Sequence, residues 1–269
     1  MPPKAPSKRL THFLCLPLVT AVSRPQLARA LKAFRDDIED DKTPENPNGI
    51  PAKAIRPVGT IHLTLGVMSL LTPERTEAAL ARLRSLDLAE LLLSTAPPVP
   101  VAAGESTAAP ALGALAPLKA TLRGLMSMQQ PAKTSVLYSA PEDPEGRLHA
   151  FCSKLRGEFL DLLEPDNRPL LLHATILNTI YAPAGRKSAD DSGSGRGRSR
   201  SKLTIDAREI LERYSDAVWM LEVPIEKVAI CRMGARNVKG SSGDPTDDQE
   251  YVVEGEVSMP RLERGASPA

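Results

Sequence analysis

Two short stretches pair an imidazole with a hydroxyl two residues further on: His62-Leu-Thr64-Leu65 and His173-Ala-Thr175-Ile176. Each lies in a strongly apolar run, residues 59–71 and 169–181. Read as β-strands, whose side chains alternate between faces, each run places its histidine and threonine on the same side of a sheet. Neutral histidine is well matched to proton transfer near neutral pH. Two such groups around one phosphodiester would supply a base for the attacking hydroxyl and an acid for the leaving oxygen, without a metal. Threonine hydroxyls would donate to the non-bridging oxygens, where charge builds in the transition state, and β-branching holds them stiffly. The competing reading makes each histidine a satisfied core residue. The other two histidines do not share the pattern, because Leu14 follows His12 and Phe151 follows His149 at the third position. One such pair carries little information, but two at equivalent mid-strand places in two halves suggest one site.

The rest of the chain must hold these strands side by side. Thr11–Leu18 reads as a buried strand, followed by a helix capped by Ser23 with Leu27, Leu31, Phe34 and Ile38 on one face. After the first motif, Thr72 with Pro73 opens a helix that runs to about Leu83. Leu118–Gln129 has helical spacing, Thr134–Ala140 reads as a strand, and Asp143–Leu163 is an amphipathic helix leading to the second motif. Asp206–Tyr214 is a short helix, and Ala217–Ile225, Lys227–Met233 and Glu250–Met259 read as strands. Each half thus runs strand, helix, motif strand. This predicts one bilobal α+β domain over 10–259, with two antiparallel sheets flanked by helices around a central groove. Insertions are expected near 95–116, 183–202 and 234–249, with a disordered tail at 1–9 and a second tail at 260–269.

Composition narrows the classes. A formal net charge of +1 gives no global attraction to nucleic acid or membrane. Aromatic residues make up 3%, too few for a long single-strand stacking platform. The three cysteines are widely spaced in apolar segments, as reduced thiols of an intracellular protein would be. No apolar run is long enough to span a membrane. Residues 13–22 after Lys4, Lys8 and Arg9 have the outline of a signal peptide, but they read better as the first strand. The compartment expected is the cytoplasm, the nucleus or both. No metal-ligand spacing occurs and no cofactor is called for.

The doubled His-x-Thr-apolar pattern resembles the signature of the 2H phosphoesterase superfamily. Thr11–Leu18, 59–75, 169–181 and Pro224–Cys231 are similar to the branch containing the central domain of A-kinase anchoring protein 18-type proteins and the C-terminal domain of activating signal cointegrator complex subunit 1. The resemblance implies a duplicated fold with His62, Thr64, His173 and Thr175 facing the groove. It also implies RNA or nucleotide substrates such as 2′,5′-linked oligonucleotides or 2′,3′-cyclic phosphates, AMP- or CMP-like ligands, and a monomer. Only 260–269 follow Met259, so kinase anchoring is not expected to carry over. Phe13, Tyr138 and Tyr181 are candidates to stack a base, and Lys53 and Arg56 to meet a phosphate, each against a core or solvated-loop alternative. Which histidine is base and which acid stays open. A binding module without turnover and a 2′-5′ RNA ligase are the rival functions.

Overall fold

The first apolar run forms β1 (His12–Pro17), and the rest of the first lobe assembles on it. The structure is a computed structural model that describes residues 9–39, 42–44, 46, 47, 49–96, 116–182, 203–239 and 245–260. After β1 come α1 (Ser23–Ile38), β2 (His62–Met68), α2 (Pro73–Arg84), α3 (Leu88–Leu93), β3 (Lys119–Arg123) and β4 (Met126–Ser127). Then follow β5 (Val136–Ser139), β6 (Pro141–Glu142), α4 (Arg147–Gly157), β7 (Ala174–Asn178) and α5 (Arg208–Arg213). The chain closes with β8 (Val218–Pro224), β9 (Lys227–Arg232), β10 (Arg236–Lys239), β11 (Pro245–Glu250) and β12 (Val253–Ser258).

The first lobe is an antiparallel sheet in the order β12-β9-β1-β2. Leu14, Leu16 and Leu18 enter the main core from one side of β1, while Phe13 and Cys15 join Ala229 and Cys231 in a small cluster on the other. A strand buried on both faces loses the alternating pattern, which is why β1 reads as a continuous apolar run.

The second lobe has two three-stranded sheets, β6-β3-β8 and β4-β5-β7. They share one hairpin: β3 and β4 are successive parts of one arm, β6 and β5 of the other, and all their pairings are antiparallel. The break falls at Gly124, whose φ of 72° is left-handed. Its N–H donates to Ala217 O at 2.8 Å, and its carbonyl accepts from Trp219 Nε1 at 2.8 Å. Trp219 is fully buried against Phe34 of α1. Thus α1, which follows β1, packs on β8 of the second lobe, while α4 packs on β2 of the first. This exchange of helices ties the lobes together.

Several sequence expectations change. Leu118–Gln129 forms β3 and β4, not a helix. Ala120, Thr121 and Leu122 are all buried, so its apolar spacing reflects a strand covered on both faces. The expected polar insertion at 234–249 contains β10 and β11, which pair with each other. Such a polar hairpin has no apolar face to reveal it in sequence. The helix expected over 143–163 ends at Gly157, and the apolar residues beyond it continue as turns to Leu163, which bridges to Met68. Ser23 does not cap α1. Its hydroxyl donates to Leu18 O at 2.6 Å, and Thr20 Oγ1 accepts from the Ser23 N–H. Thr72 does cap α2 as expected. Most of the expected tails, the insertions near 95–116 and 183–202, and residues 240–244 lie outside the described residues.

At Gly124 an alanine Cβ would stand 2.6 Å from Ser215 O as well as forcing a left-handed backbone. Gly124→Ala should therefore destabilise the fold by about 2 kcal/mol or more. Denaturant unfolding followed by the fluorescence of Trp219, the single tryptophan, measures this; an unchanged midpoint would show that the bend tolerates a side chain.

Candidate active site

The approach to β2 fixes the first histidine. The 3₁₀ turn Val58–Thr60 is closed by Thr60 Oγ1 donating to Pro57 O at 2.7 Å. This presents the Thr60 carbonyl to His62 Nδ1 at 2.7 Å. A carbonyl only accepts, so Nδ1 carries the proton and Nε2 of the neutral ring holds the lone pair. Thr64 Oγ1 lies 2.9 Å from that Nε2. The second copy repeats the device: His173 Nδ1 donates to Leu171 O at 2.9 Å, again the carbonyl two residues upstream. Both histidines stand at the entrance of their strands rather than mid-strand, His62 as the first residue of β2 and His173 just before β7. Their carbonyl partners lie outside the strands, where ladder hydrogen bonds do not claim them.

Each imidazole is walled by an aromatic ring from the neighbouring strand. Phe13 of β1 lies 4.9 Å from the His62 ring, and Tyr138 of β5 lies 5.5 Å from the His173 ring. Both are nearly buried, at 4% and 6% exposure, so their packing is against the histidines rather than open for stacking. The four motif side chains are half-buried.

Arg56 enters from the segment before the turn. Its N–H donates to Ile176 O of β7 at 2.8 Å, and Ile55 bridges Leu177, so the approach to one motif is bound to the strand of the other. The guanidinium sits over the half-exposed Tyr181 ring at 3.9 Å. Lys53 is exposed on the turn Ala52–Ala54, and among the described residues no hydrogen bond, ion pair or ring contact joins it to the histidines. His12 is buried with Nε2 3.5 Å from Glu254, at the opposite end of β1 from His62. His149 lies on α4 with Nε2 3.1 Å from Leu170 O. Among the described residues, no three of His, Cys, Asp and Glu gather as metal ligands.

Sequence reasoning missed Tyr251, between β11 and β12. Its ring meets the edges of His62 at 5.2 Å and Phe13 at 4.9 Å, and its hydroxyl accepts from Arg56 Nη2 at 3.3 Å. Only its aromatic character at the start of a strand signalled it; the partners are remote in sequence. Burial under these rings pushes the His62 pKa down to about 4, with the Thr60 hydrogen bond opposing and the charges of Arg56 and His173 adding to the fall. The two motif strands, β2 and β7, lie against each other.

A family model described as the AKAP7 2′5′ RNA ligase-like domain matches residues 10–244. That span carries both motifs with Phe13, Arg56, Tyr138 and Tyr181, and ends before Tyr251. No curated protein matches the chain. Among solved structures the chain is similar to E. coli LigT complexed with 3′-AMP, at 12% identity over 94% of this chain and 99% of that one, with a TM-score of 0.45. It is also similar to TT0787 of Thermus thermophilus, at 18% identity over 96% and 100%, TM-score 0.41. Usb1 of Kluyveromyces marxianus is a third, at 13% identity over 95% and 100%, TM-score 0.36. With the family model spanning both motifs, the chain belongs to the AKAP7 2′5′ RNA ligase-like domain family of the 2H phosphoesterase superfamily.

Proposed function

We propose that this protein is a metal-independent phosphodiesterase acting on RNA-type or nucleotide substrates, either a 2′,5′-linked oligonucleotide or a 2′,3′-cyclic phosphate. One observation carries the reading: two imidazoles each tie Nδ1–H to the carbonyl two residues upstream, leaving Nε2 for proton transfer, on strands β2 and β7 that lie against each other. A satisfied core histidine needs no such matched tautomer.

His62, held neutral, is the base and His173 the acid in the hydrolytic direction. Water attacks phosphorus as its proton passes to Nε2 of His62. The bond from phosphorus to the leaving oxygen breaks as His173, entering as the imidazolium with Nδ1–H kept on Leu171 O, delivers its Nε2 proton to that oxygen. Thr64 and Thr175 donate to the non-bridging oxygens; Thr64 exchanges its bond to His62 for one to the phosphate. A substrate bound with reversed polarity would exchange the two histidine roles.

Assays on 2′,5′-oligoadenylate, 2′,3′-cyclic nucleotides and short 3′,5′ RNA should show turnover that survives a chelator. His62→Ala or His173→Ala should each lower it by about 10³-fold or more, and Thr64→Val or Thr175→Val by about 10²-fold. Full activity in both histidine variants would sink the mechanism. Tight nucleotide binding with no cleavage anywhere in the panel would identify a binding module instead, and joining of RNA ends a ligase.

The pH profile gives a second test. The base works unprotonated, so activity falls as pH drops through the His62 pKa, which places the acid limb of kcat/KM near pH 4 rather than 6.5. Arg56→Met should move this limb upward, because losing a nearby positive charge favours the imidazolium. A wild-type limb at 6.5 would remove His62 from the base role.

A further inference from the structure

Arg56 is 4% exposed. A cation taken out of water is costly unless charge or hydrogen bonds compensate it. The half-buried Arg24 and Arg82 and the exposed Arg123 and Arg232 each hold a carboxylate. Buried Arg56 holds none: among the described residues its side chain meets the Tyr251 hydroxyl at 3.3 Å and the Tyr181 ring at 3.9 Å, both neutral. A guanidinium has five N–H donors, and the Tyr251 hydroxyl engages one of its nitrogens. The carboxylates flanking Tyr251 are held elsewhere: Asp248 and Glu250 by Arg24 at 2.6 Å each, and Glu254 by Arg232.

Tyr251 is held firmly in this place. Asp248 Oδ1 accepts from the Gly59 N–H at 2.8 Å, which docks the end of β11 on the turn before His62. The approach is so close that a Cβ at Gly59 would stand 2.4 Å from Gln249 O. Burial, reinforced by the Tyr181 hydroxyl nearby, pushes the Tyr251 phenol up to about 12, so it keeps its proton at neutral pH. Its oxygen accepts from Arg56, while its O–H is taken up by the Tyr181 hydroxyl.

We propose that Arg56, aimed by Tyr251, forms a binding site for the phosphate group of a nucleotide beside His62. The inference rests on the reading of the groove as a phosphodiester site. It adds an anion-binding cation to the two threonines, and it makes Tyr251, which lies beyond the family-matched span, a positioning residue for phosphate recognition. Arginine suits this role because its planar fork offers paired donors to phosphate oxygens.

Equilibrium titration of the full chain with AMP and with adenosine separates phosphate recognition from base binding. Neither ligand contains a phosphodiester, so the result does not depend on whether the histidines turn a diester over. The wild type should prefer AMP by about 10-fold or more. Arg56→Met should abolish that preference, Arg56→Lys should restore part of it, and Tyr251→Phe, which keeps the ring on His62 and Phe13, should weaken AMP about 10-fold. Adenosine affinity should stay constant throughout, which also reports that the variants are folded. Equal losses for both ligands, unchanged AMP binding in Arg56→Met, or no wild-type preference would each overturn the proposal. Loss of the AMP preference in these variants alongside a wild type that cleaves nothing would keep this site and remove the hydrolase reading.

Discussion

The short antiparallel bridge between the approach to β2 and strand β7 is the constraint on which the site depends. Ile55 opposite Leu177, with the Arg56 N–H on Ile176 O, fixes the first motif's approach against the second motif's strand. The two His-x-Thr strands belong to separate sheets, and this bridge lies between the approach to one and the body of the other. Exchange of α1 and α4 between lobes reinforces the bridge, because α1 packs on β8 of the second lobe and α4 on β2 of the first. Two lobes joined this way have little freedom to separate, as a constellation divided between two lobes requires.

Within that frame the local chemistry is doubled. Each imidazole donates Nδ1–H to a carbonyl two residues back and leans on an aromatic ring from the adjacent strand. The two copies differ in their surroundings. His62 lies beneath Phe13 and Tyr251 with Arg56 close by, a combination that desolvates it and opposes its protonation. This asymmetry distinguishes two motifs with the same pattern, which spacing along the chain leaves equal.

Arg56 shows how the same environment holds a cation without a carboxylate. A buried guanidinium facing only neutral partners is held by a phenol and an aromatic face, not by a carboxylate. A carboxylate there would stabilise the resting protein and compete with a phosphate for the same donors. Keeping Asp248 and Glu250 on Arg24 leaves the positive field directed at the groove.

Much of this was legible in the residues themselves. Apolar runs with a His-x-Thr insertion located both motif strands, the periodicity of α1 and α4 located their main helices, and the paired polar groups marked the candidate site. These are local signals, written within a few residues of the feature they specify. What tertiary structure alone decided is everything made by remote pairing. The run from Leu118 to Gln129 became strands because β8 and the β5–β6 arm pair with it. Tyr251 reached His62 because the end of β11 docks at Gly59. Arg56 became a buried cation, and the two histidines became unequal, because desolvation depends on which rings and charges the fold brings close, a quantity no spacing along one strand encodes.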